Sequence, residues 1–352
     1  MISRAIDKVM IPFAKLLHHN YMEVLGINNT MKIARAYHRI RYGRYHEYRK
    51  NQYLYHFDEL IRENGMPVSP TKEIKDGWHL DTSGTLPHLK RLLADAEEII
   101  RERGGIKRAS YGRPFFQEIP IEDLLDKYPS FLDFATSSDM LSVVCNYFGF
   151  IPVFSGALPY GIRFNESWAK YDNRPNAALA ASQLFHLDFH DSPMVYVIVT
   201  LKDVTMENGP FCFLPESASK KASEALRYRE RGRSYRVMDE VMYSIVPERE
   251  LIKLCYPAGT VLFLDNSRCF HYGSRNAVNL RYLLMYAYLS TCRTDFGEIL
   301  MKQKTYPVWD SDSRLRKLVL NREFHAISDR AHGFSSSFET PRSIGSCPTT
   351  RQ

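Results

Sequence analysis

The run FHLDFHDSP (185–193) sets two imidazoles and a carboxylate at alternate positions, His186, Asp188 and His190. In an extended chain residues two apart share a face, so His186 and Asp188 can reach one metal ion together. A third ligand must come from elsewhere. His271 is the candidate: it lies in DNSRCFHYGS, after the apolar run GTVLFLD and a turn. Two imidazoles and one carboxylate cover one face of an octahedral ion. The open positions can then take a chelating co-substrate and dioxygen, the arrangement that non-haem Fe(II) chemistry uses. Arg281 opens RYLLMYAYLS, ten residues after His271. Its planar fork suits a carboxylate lying on such a metal.

A second HLD occurs at His79-Leu80-Asp81. It lacks a following strand run and a downstream His in a β context, and the chain after it turns helical. His186 and Asp188 are therefore the expected pair.

Positioning such a site is the task of the strand-rich middle of the chain. From about 151 to 293, β-branched and aromatic runs (MVYVIVTL, PFCFL, GTVLFLD, RYLLMYAYLS) alternate with Gly, Pro, Asn and Asp. That pattern predicts a sandwich or barrel of short strands. Residues 1–150 read as mainly helical. Ala34 to Phe57 is rich in Arg, Tyr and His, and Leu86 to Arg103 has apolar residues at helical spacing, with Thr82 and Ser83 as caps and Gly104-Gly105 as its end. The first 25 residues are amphipathic, interrupted by Asp7, Lys8 and Lys15, and are expected to pack on the domain rather than act as a signal peptide. From 294 the strand pattern fades, and the end, SSSFETPRSIGSCPTTRQ, is expected to be mobile. The stretch 219–236 holds seven Lys or Arg against two Glu and predicts a helix or lid outside the barrel.

With 352 residues, 44% hydrophobic and 25% charged, the chain can bury a sizeable core. A net charge of +7 suits acidic small molecules and does not by itself argue for nucleic acid. The basic-aromatic run YHRIRYGRYHEYRK (37–50) is read as an amphipathic helix, not a nucleic-acid surface. No run approaches the ~18 apolar residues of a membrane span. The six cysteines, none at CxxC spacing, read as buried thiols of a reducing, cytoplasmic setting.

Taken together, His186-Leu187-Asp188 with its following strand, the turn DVTMENGPFCFLPESASK, the run PAGTVLFLDNSRCFHYGSRN and Arg281 resemble the Fe(II)/2-oxoglutarate-dependent oxygenases, specifically the phytanoyl-CoA dioxygenase-like group. The resemblance covers about 150 to 293. It implies a double-stranded β-helix (jelly roll, cupin-like) core with Fe(II) on His186, Asp188 and His271. It also implies 2-oxoglutarate paired with Arg281 (Arg275 being the other basic residue in reach), dioxygen as co-substrate, and decarboxylation to succinate coupled to hydroxylation of a small molecule. A carboxylate at 188 argues against halogenation, because related halogenases carry a small residue there.

Other assignments keep two readings. Arg163, in LPYGIRFN, either sits near the co-substrate or makes a surface salt bridge. Ser274 either bonds the co-substrate carboxylate or only makes the turn. His190 and Tyr160 are the candidate substrate contacts, an ordinary hydrogen-bonded histidine being the other reading of His190. Asn208-Gly209 reads as a turn. The basic stretch either closes over an anionic substrate or forms a solvated face. At the level of function, the alternatives are a jelly-roll binding or regulatory module without catalysis, and a cupin-like metal enzyme that needs no 2-oxoglutarate.

Overall fold

The two longest apolar runs, Val195–Thr200 (β5) and Arg281–Leu289 (β10), pair with each other in the middle of a seven-stranded antiparallel sheet. This computed structural model describes residues 2–16, 24–68, 72–108, 113–169, 178–301 and 303–320. The remaining strands are Trp78–Asp81 (β1), Phe116–Ile119 (β2), Val153–Phe154 (β3), Ile162–Ser167 (β4), Cys212–Phe213 (β6), Ile252–Lys253 (β7), Val261–Asp265 (β8) and His271–Tyr272 (β9). The larger sheet runs β1-β8-β5-β10-β4-β2, with β3 also on β10, and the smaller runs β7-β6-β9.

Both faces of the larger sheet are covered, which is why β5 and β10 are buried at every position. Alternation sorts the side chains. Val195, Val197, Val199, Leu284, Tyr286 and Tyr288 meet a helical layer, while Tyr196, Ile198, Leu283 and Met285 meet Phe211 and Phe213 of the smaller sheet. By the same alternation Arg281 on β10 and Arg163, Asn165 and Ser167 on β4 face the space between the sheets. The core is thus antiparallel sheet with helices, and the site lies inside it.

The helical layer comes mostly from the first 150 residues: Ile2–Leu16 (α1), Ile27–Asn64 (α2), Leu89–Arg103 (α3), Ser130–Ala135 (α4) and Ser138–Phe148 (α5). This region also supplies β1 and β2, the two outer strands of the larger sheet, so it is woven into the sheet as well as packed on it. The helix expected from Leu86 starts at Leu89, behind His88 in the left-handed region, and the Ile100 carbonyl accepts from Gly104 N at its end. Thr82 and Ser83 do not cap it; Ser83 donates from N and Oγ to Asp81 Oδ1 at 2.7 and 2.6 Å. The amphipathic α1 lies on α2: Asp7 accepts from Tyr37 Oη at 2.9 Å and pairs with Arg41 at 3.2 Å.

Two further readings need correction. The HLD at 79–81 does lie in a strand, β1, which pairs with β8. A four-residue edge strand followed by DTSG is too short to show a period. The basic stretch is no detached lid. It begins inside helix Glu216–Leu226 (α6), which buries Ala218, Ser219 and Ala222, and it returns to the core through Tyr228 and Val237. Residues 303–320 also reach the core through Tyr306, Leu315 and Val319. The tail expected to be mobile lies outside the described residues beyond 320, as does Cys347. The other five cysteines are free thiols. Among the described residues no helix is long and apolar enough to cross a membrane.

His38 of α2 is fully buried, with Nδ1 donating to the Arg293 carbonyl at 2.9 Å, and burial lowers its pKa from 6.5. Below 6.5 the unfolded chain takes up a proton that the folded His38 refuses. Its contribution is therefore complete above that pH and is lost as pH falls toward the lowered folded value. Thermal unfolding followed across that window should show the midpoint dropping with acidity. His38→Gln, which keeps a donor for the carbonyl, should flatten the slope. An unchanged slope would remove His38 from the account.

Candidate metal and co-substrate site

The ligand-bearing segment is extended, but only Phe185 and His186 pair with other strands. His186 and His271 exchange backbone hydrogen bonds (His186 N to His271 O, 3.1 Å; His271 N to His186 O, 3.0 Å). Phe185 makes the same exchange with Val237, at 3.1 and 2.9 Å, and Asp188 N donates to Asn266 O at 2.9 Å. The two histidines are thus fixed to one another by main chain, with ring centroids 4.3 Å apart.

Both Nδ1 atoms face carbonyls at 2.9 Å, Leu184 O for His186 and Cys269 O for His271, so Nδ1 carries the proton and Nε2 offers its lone pair. His271 Nε2 lies 3.8 Å from Asp188 Oδ2. One ligand atom from each of His186, Asp188 and His271 lies within 4.8 Å of the others, and no other such group occurs among the described residues. His79 and Asp81 form none: His79 packs on Phe263, and Asp81 is held by Ser83 and Lys72.

Electrostatics prepares these donors. Burial, reinforced by His271 and Arg236, lowers the His186 pKa well below the usual range, and burial lowers that of His271. Both imidazoles are neutral at pH 7, as ligation needs. Burial opposes ionisation of Asp188, yet the imidazoles of His271, His186 and His190, with Arg236, outweigh it and bring its pKa to about 2. Aromatic rings close the surroundings: Phe211 stacks on His271 at 5.5 Å and Tyr235 meets His186 edge-on at 6.1 Å.

Asn266 was not foreseen. Its Nδ2 lies 3.4 Å from both Asp188 Oδ2 and His271 Nε2. Its backbone carbonyl also accepts from Asp188 N, so it holds both the main chain and the carboxylate of Asp188. Asn266→Ala should weaken Fe(II) binding about 10- to 100-fold, the usual cost of losing a partner of a metal ligand. Titration of the metal-free protein with Fe(II) under argon checks this; an unchanged dissociation constant would remove Asn266 from the site.

Arg281 is buried, and burial brings its pKa down to about 10, which leaves it cationic at neutral pH. Its Nη2 donates to Ser274 Oγ at 2.9 Å and its Nη1 to the Gly209 carbonyl. Ser274 thus does more than make its turn, and Gly209, with φ +59°, positions an acceptor for the guanidinium. Gly273 lacks a side chain where a Cβ would stand 3.4 Å from Arg281 Nη2. Across the strand pair, Ser167 is the register partner of Arg281 and Asn165 that of Leu283. Arg281 Nε, Ser167 Oγ and both amide atoms of Asn165 are buried without hydrogen-bond partners among the described residues. Leaving each such group unsatisfied costs about 1–3 kcal/mol, so this cluster can accept a polar partner.

The other expected residues divide. Arg275 is committed elsewhere, to Asp239 at 2.7 Å and to the face of Tyr272 at 3.3 Å. Arg163 is not a surface salt bridge: it faces the interior, pairs with Glu118 at 3.2 Å and lies over the Tyr196 ring at 6.0 Å. His190 is hydrogen-bonded through Nδ1 to Asp295 at 2.7 Å and stacks on Phe189. Tyr160 carries Lys304 Nζ over its ring at 3.8 Å, and no described contact joins it to the metal-ligating set.

No protein-family model matches the chain, and no curated protein matches its sequence. Solved structures align with it at low identity. The epimerase SnoN in complex with Fe3+, alpha ketoglutarate and nogalamycin RO is 13% identical, with 72% of this chain and 96% of that one covered and a TM-score of 0.42. The non-heme alpha ketoglutarate dependent carbocyclase SnoK from nogalamycin biosynthesis is 15% identical, with 66% and 83% covered and a TM-score of 0.39. EctD from S. alaskensis with 2-oxoglutarate and 5-hydroxyectoine is 13% identical, with 61% and 72% covered and a TM-score of 0.38.

Proposed function

We propose that the chain is a non-haem Fe(II)/2-oxoglutarate-dependent dioxygenase of the phytanoyl-CoA dioxygenase-like kind that hydroxylates a small molecule. The observation that carries this reading is the meeting, inside one sheet sandwich, of a two-His-one-carboxylate set with a buried arginine ringed by orphaned polar atoms. The strand orders support a double-stranded β-helix. The larger sheet has β8-β5-β10-β4 at its centre, between the outer strands β1 and β2, and the smaller runs β7-β6-β9 and continues to the His186 bridge.

In this reading His186, Asp188 and His271 hold Fe(II). Arg281 and Ser274 take the distal carboxylate of 2-oxoglutarate, with Asn165 and Ser167 alongside. The ferrous ion, when bound, supplies dioxygen activation coupled to decarboxylation of the co-substrate to succinate. The chain's own part is positional. Neutral imidazoles and an ionised Asp188 would offer the ion three donors. Arg281 is already oriented by Ser274 and Gly209 before any carboxylate arrives. Phe211, Phe189 and Tyr235 exclude water from the region where a reactive species would form.

Anaerobic addition of Fe(II) and 2-oxoglutarate should give a weak visible charge-transfer band, and admission of air should release succinate. Absence of both would favour a binding module. Oxygen consumption independent of 2-oxoglutarate would indicate a different metal enzyme.

A further inference from the structure

The co-substrate reading uses one arginine, Arg281, yet Asp188 is coupled electrostatically to three more, Arg236, Arg163 and Arg113. Arg163 enters from β4, four residues along the strand from Ser167, the register partner of Arg281. That places it roughly 13 Å away along the strand. Arg236 enters from the returning basic stretch. Its guanidinium lies 4.4 Å from the centre of the Tyr235 ring, and that ring in turn meets His186 at 6.1 Å and Phe189 at 5.5 Å. Arg236 Nη1 is buried without a hydrogen-bond partner among the described residues, whereas Arg163 Nε is ion-paired with Glu118 Oε1 at 3.2 Å. Arg113 comes from the turn leading into β2, where Phe116 N donates to its carbonyl at 3.1 Å. Burial lowers its pKa, with Arg163 and Arg236 adding to the effect and Asp188 opposing it.

A ferrous ion, Asp188, a dicarboxylate and Arg281 sum to no net charge. These further guanidiniums are thus not balanced by the iron chemistry. Glu118, the acid that pairs with Arg163, has a side chain 38% exposed.

We infer that the substrate is a small-molecule oxyanion, a carboxylate or phosphate ester, gripped by Arg236 and Arg163 with Arg113 beside them. The apolar body of the substrate lies against Tyr235, Phe189 and Tyr196. The inference rests on the oxygenase reading and names the substrate class of that same site. Guanidinium forks bind such groups bidentately, and a desolvated fork without a partner is where an anion gains most.

The test uses full-length protein loaded with Mn(II) and 2-oxoglutarate, with paramagnetic relaxation of three probes read by NMR: phenyl phosphate, benzoate and neutral benzamide. One or both anions should show saturable relaxation and benzamide none; the stronger anion tells phosphate from carboxylate. Arg236→Gln and Arg163→Gln should each weaken that binding about 10- to 100-fold, the loss of a hydrogen bond to a charged group. Arg236 is half-buried and the safer variant for folding. Equal relaxation by benzamide, or binding indifferent to both substitutions, would overturn the inference. So would displacement of the probe by added 2-oxoglutarate, which would assign these arginines to the co-substrate. The Fe(II)/2-oxoglutarate band in the unaltered protein separates the two readings. Without the band the oxygenase reading fails; with the band but no arginine-dependent anion binding, only the substrate class fails.

Discussion

Asp188→Ala should leave a folded chain that neither retains Fe(II) nor releases succinate. Asp188 is the only anionic donor in the set, its pKa held below the usual carboxylate range despite burial. Without it two neutral histidines face a dication, and the charge that balances the metal is gone. Asp188→Asn separates charge from shape, since the amide keeps the volume and a carbonyl oxygen but not the negative charge. It should retain little iron. The checks are iron stoichiometry after gel filtration, the charge-transfer band, and thermal unfolding to show that the fold persists. His186→Ala and His271→Ala should behave alike. Iron content and turnover at the level of the unaltered protein in any of the three would sink the ligand assignment.

Arg281→Leu should act on the other component. The guanidinium is buried between Ser274 and Gly209, with Nε unpartnered. Removing one partner of a buried, hydrogen-bonded charge pair costs about 2–5 kcal/mol, or roughly 30- to several-thousand-fold in 2-oxoglutarate affinity. Iron binding should survive, because no metal ligand contacts Arg281 among the described hydrogen bonds and ion pairs. The expected signature is therefore a rise in the concentration of 2-oxoglutarate needed to develop the band, at unchanged iron content. Arg281→Lys keeps the charge without the fork and should fall between. A variant that binds 2-oxoglutarate normally would move the co-substrate elsewhere in the cavity.

The parts of this architecture that sequence made legible share a physical cause. β5, β8 and β10 are buried on both faces, so they appear as uninterrupted apolar runs. The meeting of His186, Asp188 and His271 was legible because a two-His-one-carboxylate set restricts residue types and their order. What stayed hidden did so for equally physical reasons. β6, β7 and β9 have two residues each, too few for a period. Asn165 and Ser167 in RFNES look like the solvent side of a half-exposed strand, yet the second sheet covers that side and turns their polarity inward. Asn266 in DNSR looks like a turn residue. Tyr235 and Arg236 sit in a stretch so rich in charge that its return to the core is masked, although Val237 pairs with Phe185 there.

The reciprocal backbone bonds between His186 and His271 also bear on which ion the site holds. A pair of ligands clipped together by main chain has little freedom to open or close around ions of different size. The nitrogen and oxygen donor set itself favours later ions, so affinity should climb from Mn(II) through Fe(II) and Co(II) to Ni(II) in the general order of divalent ions. Occupancy in a cell would be decided by which metal is at hand when the chain folds. Later metals in the series would act as tight, unreactive competitors, and protein purified aerobically over nickel resin should carry nickel until it is stripped.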